Sequence, residues 1–320
     1  VPLLVLPWLF GVALKSGYLS WLRTKPAVYF ISASPLSGGS GEFSSYRRFQ
    51  ELSRFFRFPS VSFIEREFFD IENLRSWQKT LPAGSVAVNI RDDGFEVSLP
   101  LYPKSAVENN SEVGDLIRAY KLHSDGGQFI VVPRELSGSE LFLSLPSRIV
   151  TISAKSSEQS LHFIGWLAKL SSSWVWNTPI DEYNRTAAIA ELQRLEDSAA
   201  QLHMLSGWNN NVAKLICRLV QGNVMFLEAL IQGGENRPLL ERAAKRYRSA
   251  FKLLRNEEVP ELESALRNNY GLTSFLLAET PKDLNKAQKE LLRAASIGQK
   301  PTIVPVGSRL ALINLAQLPL

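Results

Sequence analysis

One cysteine and three histidines in 320 residues leave little material for redox or metal chemistry. Cys217 has no second thiol to pair with, so no disulfide framework exists within the chain, which fits a reducing compartment. His123, His162 and His203 lie far apart and lack carboxylate or thiolate neighbours at ligand spacing, so no metal site is expected. No Gly-x-Ser-x-Gly elbow occurs, which leaves nucleophilic hydrolysis without support. A strong excess of one charge is also missing. Thirty-six basic residues against thirty-one acidic give +5 and a pI near 9.3. A solvated surface accounts for that imbalance better than a nucleic-acid partner does.

What is present is an ordinary globular composition, 45% hydrophobic and 21% charged, in a chain longer than one core usually serves. Two domains are therefore expected: an α/β domain over 25–173 and a helical domain over 174–320. The stretch 1–24 precedes them. Val1 to Leu14 carry no charge and Lys15, Arg23 and Lys25 follow. Such a run is too short to cross a hydrocarbon core of roughly 30 Å, yet a cut membrane anchor has this appearance, and the basic flank would place the folded part in the cytoplasm. A buried first helix or a signal-peptide remnant, in an otherwise soluble cytoplasmic protein, is the other reading.

From Ala27 onward short β-branched and aromatic runs alternate with helical stretches. Val28-Tyr-Phe-Ile-Ser, Val61-Ser-Phe-Ile and Ser85-Val-Ala-Val-Asn-Ile read as strands, with helices over 46–56 and 70–81 between them. Asp93-Gly94 supplies a hairpin turn. A helix over 112–122, strands at Phe129-Ile-Val-Val, Leu141-Phe-Leu-Ser-Leu and Ile149-Val-Thr-Ile-Ser, and a helix over 158–170 complete the domain. The pattern predicts a mixed sheet in a three-layer α/β arrangement, antiparallel toward one edge.

The loop after the first strand, Ser34-Pro-Leu-Ser-Gly-Gly-Ser-Gly-Glu, is the candidate ligand site. Backbone N–H groups at Ser37, Gly38, Gly39 and Gly41, the amino end of the following helix, and Arg47 would together receive a phosphate-bearing ligand. The loop matches neither dinucleotide-binding nor P-loop spacing, and a flexible surface turn explains it as well. The strand, polar loop and helix order is also similar to nucleotide-processing and TIR-like domains. Glu65, Glu67, Asp70, Asp92 and Asp93 stand near strand ends, but no catalytic residue is assigned among them. No cofactor is identified.

Ser171-Ser-Ser-Trp-Val-Trp-Asn-Thr-Pro forms the junction, and beyond it strands cease. Helices are predicted over 181–205, 211–231, 238–255, 260–278, 282–296 and from 308 on. Within the third, Ala243, Tyr247 and Ala250 share one face. Ala287, Leu291 and Ala294 repeat the same small, large, small spacing in the fifth, and Gly271 supplies a small residue where paired helices cross. On these residues the last third of the chain resembles a degenerate tetratricopeptide repeat, without that repeat's first-helix tryptophan and without a strict 34-residue period. The resemblance implies protein docking, with Asn268, Asn269 and Ser274 near a concave groove. Lys245 and Arg248, in a basic stripe on the second helix, are further partner-binding candidates, although a solvated face is their plainer explanation.

These readings make the chain a membrane-proximal scaffold or sensor that recruits a protein partner through helical repeats, while its α/β half binds a ligand or another domain. An enzyme acting on a nucleotide or nucleotide-derived cofactor at the Gly/Ser loop is the alternative. Nucleic-acid binding ranks last, because the basic helices lack interleaved aromatics.

Overall fold

The structure is a computed structural model. It describes residues 27–32, 62–67, 86–91, 94–98, 129–132, 141–145 and 149–153, single positions between 163 and 175, and 182–203, 210–233, 236–254, 257–297 and 304–318. The chain divides into two compact units, Val1–Pro103 with Ile149–Pro179, and Lys104–Arg148 with Ile180–Leu320.

In the first unit, β1 (Ala27–Ser32) runs parallel to both β2 (Ser62–Glu67) and β3 (Val86–Arg91). Strand β4 (Gly94–Ser98) turns back on β3 with Arg91 opposite Gly94, so the hairpin expected at 91–94 forms. It then pairs antiparallel with β7 (Ile149–Ser153), which gives the order β2-β1-β3-β4-β7. The helices expected over 46–56, 70–81 and 112–122, and the loop 34–42, lie outside the described residues. At the fourth expected helix, 158–170, the described positions 163, 164, 166, 167 and 170 are helical.

One expectation about the sheet needs correction. Among the described residues, strands β5 (Phe129–Val132) and β6 (Leu141–Ser144) do not extend it but pair with each other, and both belong to the second unit.

Among its described residues, the second unit holds six helices: α1 (Arg185–His203), α2 (Asn211–Ile231), α3 (Arg237–Leu254), α4 (Pro260–Leu276), α5 (Pro281–Ser296) and α6 (Val306–Gln317). Their starts are written locally. The Asn210 side chain accepts the Ala213 N–H at 3.0 Å, and Thr280 Oγ1 accepts that of Asp283 at 3.2 Å. Pro260 and Pro281 occupy first-turn positions, where a missing N–H costs nothing. Helices α2 with α3 and α4 with α5 form successive hairpins; α1 packs on α2, and α6 packs on both α4 and α5. The region is a bundle of packed helical hairpins, consistent with helical repeats.

The faces that join each hairpin are those the spacing indicated. Ala243, Tyr247 and Ala250 are wholly buried, as are Ala287, Leu291 and Ala294. Glycine on the facing helix makes the close approach feasible. A Cβ on Gly222 would collide with the Tyr247 ring, and one on Gly271 would stand 2.7 Å from Leu291 Cγ and 3.3 Å from its backbone nitrogen. Gly307 does the same for α6, since a Cβ there would strike the α4 backbone at Ser264 and Ala265.

Candidate functional site

Helix α2 is apolar around most of its circumference and is buried accordingly, with Asn223 inside it. Asn268 and Asn269 in α4 and Asn314 in α6 are buried to the same degree. A buried primary amide left unpaired costs about 1–3 kcal/mol, so four of them close together require partners. They find them in β6.

A strand sends the N–H and C=O of one residue to one side and those of the next to the other. In β6, Leu141 and Leu143 stand opposite Val132 and Ile130 of β5, while the main-chain groups of Phe142 and Ser144 address the helices. The Phe142 N–H donates to Asn314 Oδ1 at 2.8 Å, and Asn314 Nδ2 returns a bond to the Phe142 carbonyl at 3.0 Å. Two residues on, Ser144 N–H donates to Asn269 Oδ1 at 2.8 Å and Asn269 Nδ2 donates to the Ser144 carbonyl at 2.7 Å. Each side chain thus presents one acceptor and one donor at the strand's edge, as a neighbouring strand would. Asn268 adds a bond to the Phe142 carbonyl at 2.9 Å and Asn223 one to the Ser144 carbonyl at 3.0 Å.

The amides also bond to one another. Asn269 Nδ2 donates to Asn223 Oδ1 at 2.8 Å, Asn314 Nδ2 to Asn268 Oδ1 at 2.8 Å, and Asn268 Nδ2 to Asn269 Oδ1 at 3.0 Å. Asn269 therefore makes four bonds, two given and two received, which is the full capacity of its side chain. Its orientation is fixed by that count, because a flipped amide would set donor against donor at Ser144. From outer helix α3, the Tyr247 hydroxyl donates to Asn223 Oδ1 at 2.8 Å. Complete burial holds the Tyr247 phenol well above its ordinary pKa, so it stays a donor.

The ladder runs from α6 through α4 to α2 as β6 runs from Phe142 to Ser144, and the bonded pairs Asn223 with Asn269 and Asn268 with Asn314 are each 46 residues apart. The next in-phase residue, Pro146, has no N–H to offer. Around the strand, Leu141, Phe142 and Leu143 are wholly buried.

Of the predicted partner residues, Asn268 and Asn269 come together at this groove, but they are buried and engaged by the chain's own strand, while Ser274 is half-buried. Lys245 and Arg248 are exposed on α3, away from its buried alanine and tyrosine face. The candidate ligand residues Ser37, Gly38, Gly39, Gly41 and Arg47 lie outside the described residues, as do Trp174 and Trp176. Sequence reasoning missed Asn223, Asn314 and the Tyr247 hydroxyl. The signal that could have found them was an asparagine inside an apolar helical run, recurring with the hairpins.

Elsewhere the unit is tied by charge. Arg267 bonds Glu263 at 2.8 Å and Glu290 at 2.9 Å, joining α4 to α5, and lies over the Phe251 ring. Glu196 of α1 faces Arg242 and Arg246 of α3 at 3.5 and 3.7 Å; desolvation outweighs both cations and raises its pKa. Burial pushes the Cys217 thiol far up, which leaves it inert as a nucleophile. Among the described residues no cluster of His, Cys, Asp and Glu is arranged to hold a metal, and no helix is long and apolar enough to cross a membrane. Compared with family models, with curated proteins and with solved structures, the chain matches none.

Proposed function

We propose that this chain is a docking protein of the scaffold or sensor kind, whose tetratricopeptide-like helical repeats hold an extended protein segment by its main chain. The observation that carries the reading is the asparagine ladder. Side-chain amides bonded to both N–H and C=O of alternate residues read an extended backbone and not the identity of its side chains. Such a device suits segment binding, since main-chain bonds supply affinity and flanking pockets supply selectivity. The repeated small, large, small faces on α3 and α5 support the likeness to tetratricopeptide hairpins. The 46-residue step between ladder partners indicates a longer unit than the 34 residues of that repeat.

A mixed α/β domain that binds a phosphate-bearing ligand at Ser37, Gly38, Gly39, Gly41 and Arg47, and attachment to a membrane through 1–24, belong to the same proposal. Both rest on the sequence alone.

Amide hydrogen exchange tests the ladder on which the docking reading rests. Asn314→Ala should accelerate exchange at the Phe142 amide, and Asn269→Ala at the Ser144 amide, each by tenfold or more. The Leu141 and Leu143 amides, which face β5, should stay slow. Unchanged protection at Phe142 and Ser144 in both variants would remove the basis for the reading.

A further inference from the structure

We infer that the outer face of α6, with the neighbouring side of α5, docks an amphipathic helix of a partner protein, acidic along its flanks and seated on α6 as α5 is seated on α4. This surface is separate from the asparagine ladder and does not depend on what the ladder holds.

The hairpin of α4 and α5 supplies the template. Asn269 turns inward to Ser144, and Arg267 and Gly271, two residues before and after it, take the opposite face of α4, because each residue advances a helix by about 100°. Helix α5 covers that face: Arg267 bonds Glu290 at 2.9 Å, and Gly271 lies directly against Leu291. In α6 the inward place belongs to Asn314, so Leu312 and Ala316 stand to it as Arg267 and Gly271 stand to Asn269. Both are exposed, Leu312 to 44%. Among the described residues no helix does for α6 what α5 does for α4. Yet α6 carries leucine and alanine on this outer side as well as on the inner one, the composition of a helix covered all round, as α2 is.

The neighbouring helix is open in the same way. Leu284 stands to Leu240 as Ala287 stands to Ala243, but Leu240 in α3 is 2% exposed and Leu284 in α5 is 37% exposed. Leu292, eight residues on along that side of α5, is 57% exposed. Four of the five large apolar side chains exposed among the described residues, Leu284, Leu292, Val304 and Leu312, thus belong to α5, to α6 or to the approach to α6. A helical array needs a polar outer face on its last element, and here leucines take that place.

Charge decides which occupant fits. Lys289 precedes Leu292 by one helical turn, Arg293 follows it directly, and Arg309 precedes Leu312 by one turn, so basic residues border both apolar spots. The nearby Glu290 is engaged by Arg267 and Arg293. A second copy of this chain would set the same cations against them. A helix with Asp or Glu beside its apolar stripe offsets them instead.

The test uses the full chain and two capped peptides built on the 16 residues of α5, both keeping its small, large, small face. One has the natural sequence; in the other Lys282, Lys286, Lys289 and Arg293 are each replaced by glutamate. Fluorescence anisotropy should show the acidic peptide binding at least tenfold more tightly than the natural one. Leu312→Asp in the full chain should weaken that binding tenfold or more; since Leu312 is exposed, the variant should keep its helical circular dichroism. No binding of the acidic peptide at millimolar concentration, equal binding of both peptides, or binding indifferent to Leu312→Asp would overturn the inference. Sedimentation equilibrium adds a further check: a dimer of the unaltered chain that Leu312→Asp dissociates would make a second copy the occupant and overturn it too.

Discussion

An asparagine side chain can imitate a peptide group because it carries the same donor and acceptor, and the ladder depends on that equivalence. Asn269→Asp keeps size and shape but replaces the donor that serves the Ser144 carbonyl and Asn223 Oδ1. The new oxygen would face two acceptors in a buried place, and an uncompensated buried charge typically costs about 3–5 kcal/mol. Tyr247→Phe removes one bond to Asn223 Oδ1, which still receives Asn269, so its cost should stay near 0.5–1.5 kcal/mol. Chemical denaturation of both variants checks the ordering, and equal losses would contradict it. At this scale the sequence was only partly legible. Asn268 and Asn269 stood out by their place beside Gly271. Asn223 and Asn314 did not, because a polar residue in an apolar run reveals its partner only once distant segments meet.

The helices were legible to within a few residues, and three of them start at chemistry that acts over one turn: Asn210 and Thr280 as caps, Pro260 and Pro281 in first turns. Their pairing was legible for a related reason. Alanine at Ala243 and Ala287 leaves room that a facing helix fills, and both are wholly buried. Ala243→Trp or Ala287→Trp would force that contact apart, at a typical cost of about 1–3 kcal/mol or more. Both variants should melt well below the unaltered chain, and an unchanged melting temperature with full helical circular dichroism in both would refute the hairpin packing. The fate of β6 was harder to read. Leu141-Phe-Leu-Ser has a strand's composition whether its edge meets another strand or a row of amides, so local pattern assigned it to the larger sheet. Only its hydrogen bonds to Asn314 and Asn269 place it among helices.

For the molecule as a whole, the division into two units does not follow the order of the chain, because Lys104–Arg148 is grouped with helices that begin some way further on. Composition changes sharply near 171–179, and a boundary is readable there. The earlier excursion has no such mark, because its strands resemble those on either side. Yet the excursion is part of the helical core: three inner helices contribute asparagines and one strand satisfies them. Replacing residues 141–144 of the full chain with Gly-Ser-Gly-Ser removes the three buried apolar side chains while keeping the chain length. Thermal unfolding followed by helical circular dichroism should then show the six-helix unit melting at a markedly lower temperature, or no cooperative transition at all. A helical transition unchanged in midpoint and steepness would mean that the helices need no strand, and the ladder as the organising centre of this unit would be contradicted.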